Sequence, residues 1–262
     1  MFGIDLEDRV CLVTGASRGL GMVMARGLAK AGARVVLAAT NRDRLEKTAD
    51  MIGRDRCLAV VADVSREEDC RRVVEATLAR FGDLAVLVNN ARVITDDHKH
   101  VPFWQDDPAF WQRSVVVNVY GYFLMARAVA PHLIERGRGR IVNVTTSVRS
   151  IARKHTSPYG VTKGANEAET AIWAQDLEGT GVTVNSLLPG GSCLRESRPP
   201  APGLISPEVM VPPAVWLASD LSDGHTGERY VGLLWDTSLP PAQAALRARE
   251  PSAFASPLHD HS

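Results

Sequence analysis

Tyr159 and Lys163 are the residues whose types and spacing best suit proton-transfer chemistry. Ser157 is a good helix N-cap and Pro158 a good first helical residue, so we expect a helix to begin here. Residues four apart share one helix face, which would bring the tyrosine and the lysine together. A free tyrosine ionises near pH ~10, and a neighbouring ammonium stabilises the phenolate. The pair is therefore a candidate proton-transfer unit, although an ordinary tyrosine and a solvated lysine would produce the same short motif.

Composition excludes several classes of function. The 262 residues are 45% hydrophobic and 23% charged, which is typical of a globular protein with a sizeable core. The 30 basic and 30 acidic side chains cancel, so nothing favours binding to nucleic acid or to an anionic membrane. No apolar run is long enough to span a bilayer, and the first ten residues lack the apolar core of a signal peptide. The four cysteines show no Cys-x-x-Cys spacing, which favours reduced thiols and a cytoplasmic location over disulfides.

Short apolar runs alternate with helical patterns through most of the chain. Strands are predicted over residues 9–14, 34–39, 57–62, 84–88, 140–144, 182–188 and 230–234. Strands that read as continuous apolar runs between helices are typical of a parallel sheet covered on both faces. We therefore predict one α/β domain over residues 1–238, with a doubly wound parallel sheet of about seven strands. Residues 239–262 are expected to form a loose C-terminal tail.

A glycine-rich turn follows the first predicted strand and precedes a helix. It reads Gly15-x-x-x-Gly19-x-Gly21. Glycines in this context permit a tight turn and let a phosphate approach backbone amides at a helix N-terminus. A bound dinucleotide is the favoured interpretation of this turn. A merely structural turn remains the alternative, because the spacing differs from the Gly-x-Gly-x-x-Gly of the commonest dinucleotide fingerprint.

A polar insert over residues 93–107 contains His98 and His100, which stand two residues apart. A metal site is conceivable there, but the sequence offers no distant partner ligand. A solvated loop is the favoured interpretation, and no metal site is predicted.

Together these residues resemble the short-chain dehydrogenase/reductase family. The similarity covers roughly residues 6–235, and the motifs occur in the family's order: Thr14-Gly15-x-x-x-Gly19-x-Gly21, Asp63-Val64, Asn89-Asn90-Ala91, Asn118, Thr146-Ser147, Tyr159-x-x-x-Lys163 and Pro189-Gly190. The resemblance implies a Rossmann-like fold and an NAD(P)-dependent oxidoreductase acting on a carbonyl or secondary alcohol. A catalytically silent dinucleotide-binding sensor or scaffold with the same fold is the alternative.

The same resemblance implies a role for each motif. Tyr159 is the general acid/base, Lys163 bonds the nicotinamide ribose and assists Tyr159, and Asn118 anchors a water in the proton relay. The hydroxyl that positions the substrate is either Ser147, which the family's preference for serine favours, or Thr146, which the spacing to Tyr159 favours; we choose Ser147. The cofactor-binding residues implied are Gly15, Ser17, Arg18, Gly19, Leu20, Gly21, Ala39, Thr40, Asn41, Asp63, Val64, Asn90, Ala91, Tyr159, Lys163, Pro189, Gly190 and Ser192.

Within that set, each motif is assigned a part of the cofactor. The glycine turn would hold the pyrophosphate, and Asp63 with Val64 would line the adenine. Asn90 and Ala91 would lie near the adenosine ribose. Pro189 and Gly190, followed by Ser192 in place of the family's usual threonine, would approach the nicotinamide.

The end of the second predicted strand bears on the choice between NAD and NADP. An acidic side chain there would bond the ribose 2′-hydroxyl and repel a 2′-phosphate, and Ala39 carries no such charge. Thr40 and Asn41 can donate hydrogen bonds to a phosphate, and Arg18 and Arg42 can supply guanidinium groups. We predict NADP(H) as the cofactor, with NAD(H) as the alternative if these arginines are only solvated surface residues.

Two further expectations concern the partners and one unusual residue. The resemblance implies a homodimer or homotetramer, and the helices at 159–178 and 108–136 offer faces that could pack across a two-fold axis: Gly160, Gly164, Ala168 and Ala171 on one, Tyr120, Phe123 and Val129 on the other. Arg92 stands where the family usually has glycine, so its side chain must point outward or into the cleft.

Overall fold

A single eight-stranded sheet forms the centre of the protein. The structure is a computed structural model and describes residues 3–93, 101–193 and 201–254. The sheet order is β3-β2-β1-β4-β5-β6-β7-β8. The strands are β1 (Val10–Thr14), β2 (Arg34–Ala39), β3 (Cys57–Val61), β4 (Val86–Asn89), β5 (Gly139–Val144), β6 (Val182–Leu188), β7 (Arg229–Val231) and β8 (Arg249–Glu250). All neighbours are parallel except β7 and β8, so the predicted doubly wound α/β fold is confirmed, with eight strands instead of about seven.

Helices cover both faces of this sheet. They are α1 (Gly19–Lys30), α2 (Arg42–Ile52), α3 (Glu67–Phe81), α4 (Pro108–Val115), α5 (Gly121–Glu135), α6 (Val148–Ile151), α7 (Tyr159–Asp176), α8 (Val211–Leu217) and α9 (Pro241–Ala248). None of these helices is long and apolar enough to cross a membrane.

Alternation along the strands creates two cores. Cys11 and Val13 of β1 pack toward α1, α2, α8 and α9, whereas Val10 and Leu12 pack toward α3, α5 and α7. Successive side chains of a strand point to opposite faces, so a strand buried on both sides is apolar throughout. This is why the predicted strands could be read as continuous apolar runs.

The predicted long helix at 108–136 is interrupted. Residues Val116–Tyr120 form a π-helical turn between α4 and α5, and Asn118 lies in that turn. A π turn widens the backbone spiral and is frequent at functional sites. Its position brings Asn118 to the end of α7 at which Tyr159 lies, since the Asn118 amide reaches Thr162.

The start of α7 differs from the prediction in its cap. The helix begins at Tyr159, one residue later than expected, so Pro158 is the N-cap and Ser157 does not cap the helix. The indole N–H of Trp111 donates to the Ser157 hydroxyl at 2.9 Å, which ties that hydroxyl to α4 instead. The expected role of Ser157 is therefore wrong because a distant aromatic side chain engages its oxygen.

Two residues assigned to subunit contacts lie inside the protein. Val129 is fully buried in the core beneath α5, and Gly160 packs so closely on the Ile151 carbonyl that a Cβ would lie 2.3 Å from its oxygen. Neither can contribute to a face between subunits. Tyr120 and Phe123 are exposed, as that prediction requires.

The C-terminal segment differs from the expected loose tail. Residues 241–250 form α9 and β8, and β8 pairs antiparallel with β7 through Tyr230 and Arg249. Three alanines of α9 are buried in the core: Ala244, Ala245 and Ala248. Pairing with β8 covers the edge of β7, which would otherwise be unpaired.

A buried ion pair fastens this segment to the rest of the fold. Arg229 and Glu167 are 1% and 2% exposed, and Nε of the arginine lies 3.1 Å from Oε1 of the glutamate. The same guanidinium bonds Glu250 at 3.1 Å and donates to the Thr146 carbonyl at 2.8 Å. One side chain thus joins α7, β7, β8 and the segment that follows β5.

Glu167→Ala should destabilise the protein by about 3 kcal/mol, because removing one partner of a buried pair leaves the other charge poorly compensated. Urea unfolding at pH 7, followed by circular dichroism, measures this loss. The matched control is Glu75→Ala, which removes an exposed pair with Arg71 on α3 and should cost less than about 1 kcal/mol. Equal losses for both variants would contradict this account of the ion pair.

Candidate active site

The glycine turn between β1 and α1 is closed against the backbone. A Cβ added to Gly21 would lie 2.4 Å from the Gly15 carbonyl oxygen and 2.5 Å from the Asn90 amide nitrogen. The first turn of α1 carries no acidic residue, and its N-cap Arg18 makes no side-chain capping bond. Backbone N–H groups at a helix N-terminus that no side chain of the cap residue engages fit a pyrophosphate.

Thr14 and Asn90 hold this turn in place. The Thr14 hydroxyl accepts the backbone N–H groups of Asn90 at 2.9 Å and Ala91 at 3.1 Å. The Asn90 amide donates to the Thr14 carbonyl at 2.9 Å. These bonds join the carboxyl ends of β1 and β4, the crevice at which the strand order reverses. Sequence reasoning gave Thr14 no role of its own, and the signal for it is a hydroxyl at the last position of a buried strand.

Asp63 and Val64 follow β3 at the same carboxyl edge of the sheet. One Asp63 carboxylate oxygen accepts both the backbone N–H of Ser65 at 2.9 Å and its hydroxyl at 2.7 Å. Val64 is buried in the core that includes α5. These contacts show how the two residues are fixed, and their contact with an adenine ring stays a prediction.

Asn118 is held by three hydrogen bonds. Its side-chain oxygen accepts the backbone N–H of Val93 at 2.7 Å, and its amide donates to the Thr162 hydroxyl at 3.2 Å. Its backbone carbonyl accepts the amide of Asn166 at 2.9 Å. Asn118 thereby links the segment after β4 to α7. Its expected task of anchoring a relay water stays a prediction.

Lys163 points into the core, where three acceptors surround its ammonium. Nζ donates to the Tyr122 hydroxyl at 3.0 Å, the Val144 carbonyl at 2.7 Å and the Asn166 side-chain oxygen at 3.1 Å. Within the described residues no hydrogen bond joins Lys163 to Tyr159, so the expected direct pairing is absent from this conformation. The reason is competition: the buried acceptors satisfy all three N–H bonds of the ammonium.

Burial also changes the acidity of this lysine. It lowers the pKa of Lys163 to about 7, and the nearby charge of Arg92 acts in the same direction, whereas Glu169 and Glu167 oppose it. A lysine with such a pKa can gain and lose a proton near neutral pH. The arrangement can therefore store or release a proton close to Tyr159.

Tyr122 and Asn166 belong to the site although sequence reasoning missed both. Tyr122 is fully buried, its hydroxyl donates to the Val144 carbonyl at 3.2 Å, and its ring centroid lies 4.7 Å from the Lys163 Nζ. Burial, and then the proximity of Tyr159, raises the pKa of Tyr122 well above its usual value, so it stays a neutral phenol. No local signal distinguishes this tyrosine from any other core aromatic.

Arg92 points into the cleft and lies over Tyr159. Its guanidinium carbon is 5.5 Å from the centroid of the tyrosine ring, a distance typical of cation–π contact. Of the two directions that the sequence left open, the structure thus selects the inward one. The cation that accompanies Tyr159 in this structure is Arg92.

Thr146 and Ser147 follow β5 and lie in different environments. Thr146 is buried and its carbonyl accepts from Arg229. Ser147 is half-buried and caps α6: its hydroxyl accepts the backbone N–H of Ser150 at 3.2 Å and donates to the Ser150 hydroxyl at 3.0 Å. Which of the two hydroxyls positions the substrate stays a prediction, with Ser147 chosen.

The remaining predicted cofactor residues flank the same crevice. Ala39 is buried at the end of β2, and Thr40, Asn41 and Arg42 are exposed, with Asn41 capping α2 through the N–H of Arg44 at 2.9 Å. Arg18, together with Ser17 and Leu20, is half-buried in the glycine turn.

The loop after β6 completes the crevice. The Pro189 carbonyl accepts from Leu233, and Gly190 has φ +90°, where a Cβ would meet Val231 at 2.6 Å. Ser192 is exposed and its carbonyl accepts from Ile205. His98 and His100 lie outside the described residues.

Comparison with known proteins agrees with this geometry. A family model described as short chain dehydrogenase matches residues 9–193. A short-chain type dehydrogenase/reductase of Picea abies is 34% identical over 194 residues, 71% of either chain. A gluconate 5-dehydrogenase of Gluconobacter oxydans is 35% identical over 188 residues, 71% of this chain and 72% of that one.

Solved structures show the same similarity over a longer part of the chain. A 3-ketoacyl-(acyl-carrier-protein) reductase from Brucella melitensis complexed with NADH has a TM-score of 0.78 and 33% identity, covering 86% of this chain and 96% of the other. A gluconate 5-dehydrogenase from Burkholderia cenocepacia in complex with NADP and tartrate has a TM-score of 0.77 and 32% identity, covering 87% and 94%.

The family model spans most of the chain, including the glycine turn, Asn118, Tyr159 and Lys163. The relatives extend over more than two thirds of it at 30% identity or more. The predicted family and class of activity are confirmed. The chain belongs to the short-chain dehydrogenase family and is an oxidoreductase that acts on alcohol or carbonyl groups with NAD(P).

Proposed function

We propose that Tyr159 is the general acid/base of this oxidoreductase and exchanges a proton with the oxygen of a ketone or secondary alcohol. The observation that supports this role is its place: Tyr159 is the first residue of α7 and half-buried, under the Arg92 guanidinium. When bound, the nicotinamide supplies or accepts the hydride. Tyr159 supplies or accepts the proton that balances it.

The surrounding residues orient Tyr159 and hold the proton. Lys163, with its pKa near 7, is the proton reservoir of this proposal, and Asn118 and Asn166 fix the turn of α7 that carries it. Ser147 is the proposed donor to the substrate oxygen. A catalytically silent sensor would not need a tyrosine at the mouth of the crevice with a titratable lysine behind it.

Tyr159→Phe removes the hydroxyl and keeps the ring beneath Arg92. We expect kcat to fall roughly a thousandfold, the range of a lost general acid/base, while the Kd for reduced cofactor changes little. Stopped-flow or steady-state absorbance of the reduced nicotinamide measures the first quantity, and fluorescence titration the second. Tyr120→Phe is the matched control, because Tyr120 is 47% exposed and should leave kcat unchanged. Near-normal turnover in Tyr159→Phe would refute the role.

We propose NADP(H) as the preferred cofactor. Ala39 leaves the end of β2 without a carboxylate that would repel a 2′-phosphate. Arg18 in the glycine turn and Arg42 at the start of α2 make no side-chain hydrogen bond within the described residues, so both guanidinium groups can turn toward a phosphate. Asn41 uses its oxygen to cap α2, which leaves its amide as a donor.

Arg18→Ala should raise the Kd for NADPH roughly tenfold or more, as expected for a lost charge-assisted hydrogen bond, and should change the Kd for NADH little. Fluorescence titration of both reduced cofactors provides the comparison. Arg26→Ala is the control, since Arg26 lies exposed on the same helix α1. Equal affinity of the unmodified protein for NADH and NADPH would show that these residues do not select a phosphate.

We propose a homodimer or homotetramer assembled through α5 and α7. The support is a set of exposed apolar side chains on the π turn and these two helices: Tyr120, Phe123, Val161 and Ile172. The rings of Tyr120 and Phe123 stack with centroids 5.9 Å apart. Exposed apolar groups on neighbouring elements are typical of interaction surfaces.

Multi-angle light scattering should give at least twice the 28.4 kDa chain mass at micromolar concentration. Phe123→Glu places a charge in the proposed interface and should yield monomer, whereas Met51→Glu, at an exposed apolar residue of α2, should not. A monomer mass for the unmodified protein would exclude the assembly.

We also propose a cytoplasmic location, which cell fractionation would test. The supporting observation is the state of three buried thiols: Cys11, Cys57 and Cys70 form no disulfide, and burial raises the pKa of each to about 12. Thiols of this kind are compatible with a reducing compartment.

A further inference from the structure

We propose that Arg92 makes this enzyme selective for substrates that carry a carboxylate near the reacting carbon, an inference that rests on the proposed role of Tyr159. The guanidinium lies 5.5 Å from the centre of the Tyr159 ring. A substrate whose oxygen meets the Tyr159 hydroxyl would therefore bring any group a few bonds away from its reacting carbon close to Arg92. Position alone makes this arginine a contact for the substrate.

The charge of Arg92 is not neutralised by the described part of the protein. Its contact there is the tyrosine ring, and no described carboxylate pairs with it. Arg229, by comparison, is deeply buried but bonds Glu167, Glu250 and a carbonyl. Arg92 also repels the positive charge of Lys163, since it helps lower the pKa of that lysine. A half-buried cation beside a second cation is stabilised when an anion enters the cleft.

The loop that borders the cleft adds to the positive potential. Residues 148–158 connect Ser147 to Tyr159 and carry Arg149, Arg153 and Lys154, all exposed. The sequence contains no aspartate or glutamate between residues 140 and 166. A cleft lined by one sign of charge concentrates ligands of the other sign and raises their association rate. The loop would therefore steer anions to the cleft that Arg92 occupies.

A carboxylate is the anion that this geometry suits best. The phosphates of the cofactor have their own proposed contacts at the glycine turn and at Ala39–Arg42, on the other side of Asn90. A planar guanidinium matches the two oxygens of a carboxylate in a bidentate pair. The substrate class is therefore a keto carboxylate or the corresponding hydroxy carboxylate, with the carboxylate within a few carbons of the reacting centre.

The test compares keto carboxylates with their neutral methyl esters. Pyruvate, acetoacetate and levulinate, each paired with its methyl ester, are assayed with NADPH. The wild type should show higher kcat/KM for at least one acid than for its ester. Arg92→Gln should lower kcat/KM for that acid roughly tenfold to a hundredfold, mainly through KM, and leave the ester within about threefold. Arg92→Lys should keep part of the preference for the acid. The control Arg71→Gln, at an exposed residue of α3, should leave kcat/KM unchanged for both acid and ester.

Two results would overturn the inference. One is equal or better use of every ester by the wild type, and the other is an equal loss for acid and ester in Arg92→Gln. If no ketone of the panel is turned over, a binding measurement provides the test. Thermal stabilisation of the NADPH complex by one of the acids, lost in Arg92→Gln, supports the anion site. No stabilisation by any of the acids refutes the anion site. The two proposals can fail separately. If turnover of the esters is lost in Tyr159→Phe, and Arg92→Gln does not change the preference between acid and ester, the proposed function is retained and only this inference is refuted.

Discussion

The buried ammonium of Lys163 is the constraint on which the active-site geometry depends. An ammonium in the interior is costly unless each of its donors is satisfied, and here a phenol, a backbone carbonyl and an amide satisfy all three. Those acceptors belong to α5, β5 and α7. Because all three acceptors bond the same nitrogen, they fix the rotation of α7 relative to the sheet. Tyr159, one turn earlier on the same helix, is thereby placed at the open end of the crevice.

A second buried network fixes the same face of α7 one turn further along the helix. Glu167 accepts from Arg229 and from the Ser186 hydroxyl of β6, while Arg229 holds the Thr146 carbonyl immediately before Ser147. The segment that carries the proposed substrate-positioning hydroxyl is therefore tied to β7 and to the C-terminal β8. One guanidinium therefore links the C-terminal segment to the residue that precedes Ser147.

The charges around Tyr159 are arranged differently from what the motif alone suggests. A Tyr-x-x-x-Lys motif predicts a lysine near the tyrosine. Here the Lys163 ammonium bonds buried acceptors such as the Tyr122 hydroxyl, and the Arg92 guanidinium lies over the Tyr159 ring. Lys163 is connected through Asn166 to Asn118 and can serve as a proton reservoir, while Arg92 remains in the cleft. In our proposals the two cations therefore have separate tasks: Lys163 holds the proton, and Arg92 binds the charge of the substrate.

Much of the fold followed from local patterns in the sequence. The bounds of β2 and β6 agree with the predicted residues, because strands buried on both faces are apolar throughout. The glycine turn, Asn118, Tyr159 and Lys163 were also identified from residue type and order. The family resemblance, more than any single motif, made those assignments specific.

The sequence by itself determined which residues are candidates for the chemistry and in what order they occur, while tertiary packing decided which way their side chains turn. Lys163 takes acceptors from residues 41, 19 and 3 positions away, and only the packed sheet brings those acceptors together. Ser157 fails as a cap because Trp111, 46 residues earlier, reaches its hydroxyl. The C-terminal α9 is only eight residues long and is stabilised by a core built from distant strands, so its composition resembled a loose tail. Local sequence encodes period and propensity, whereas contacts between distant residues exist only once the chain has folded.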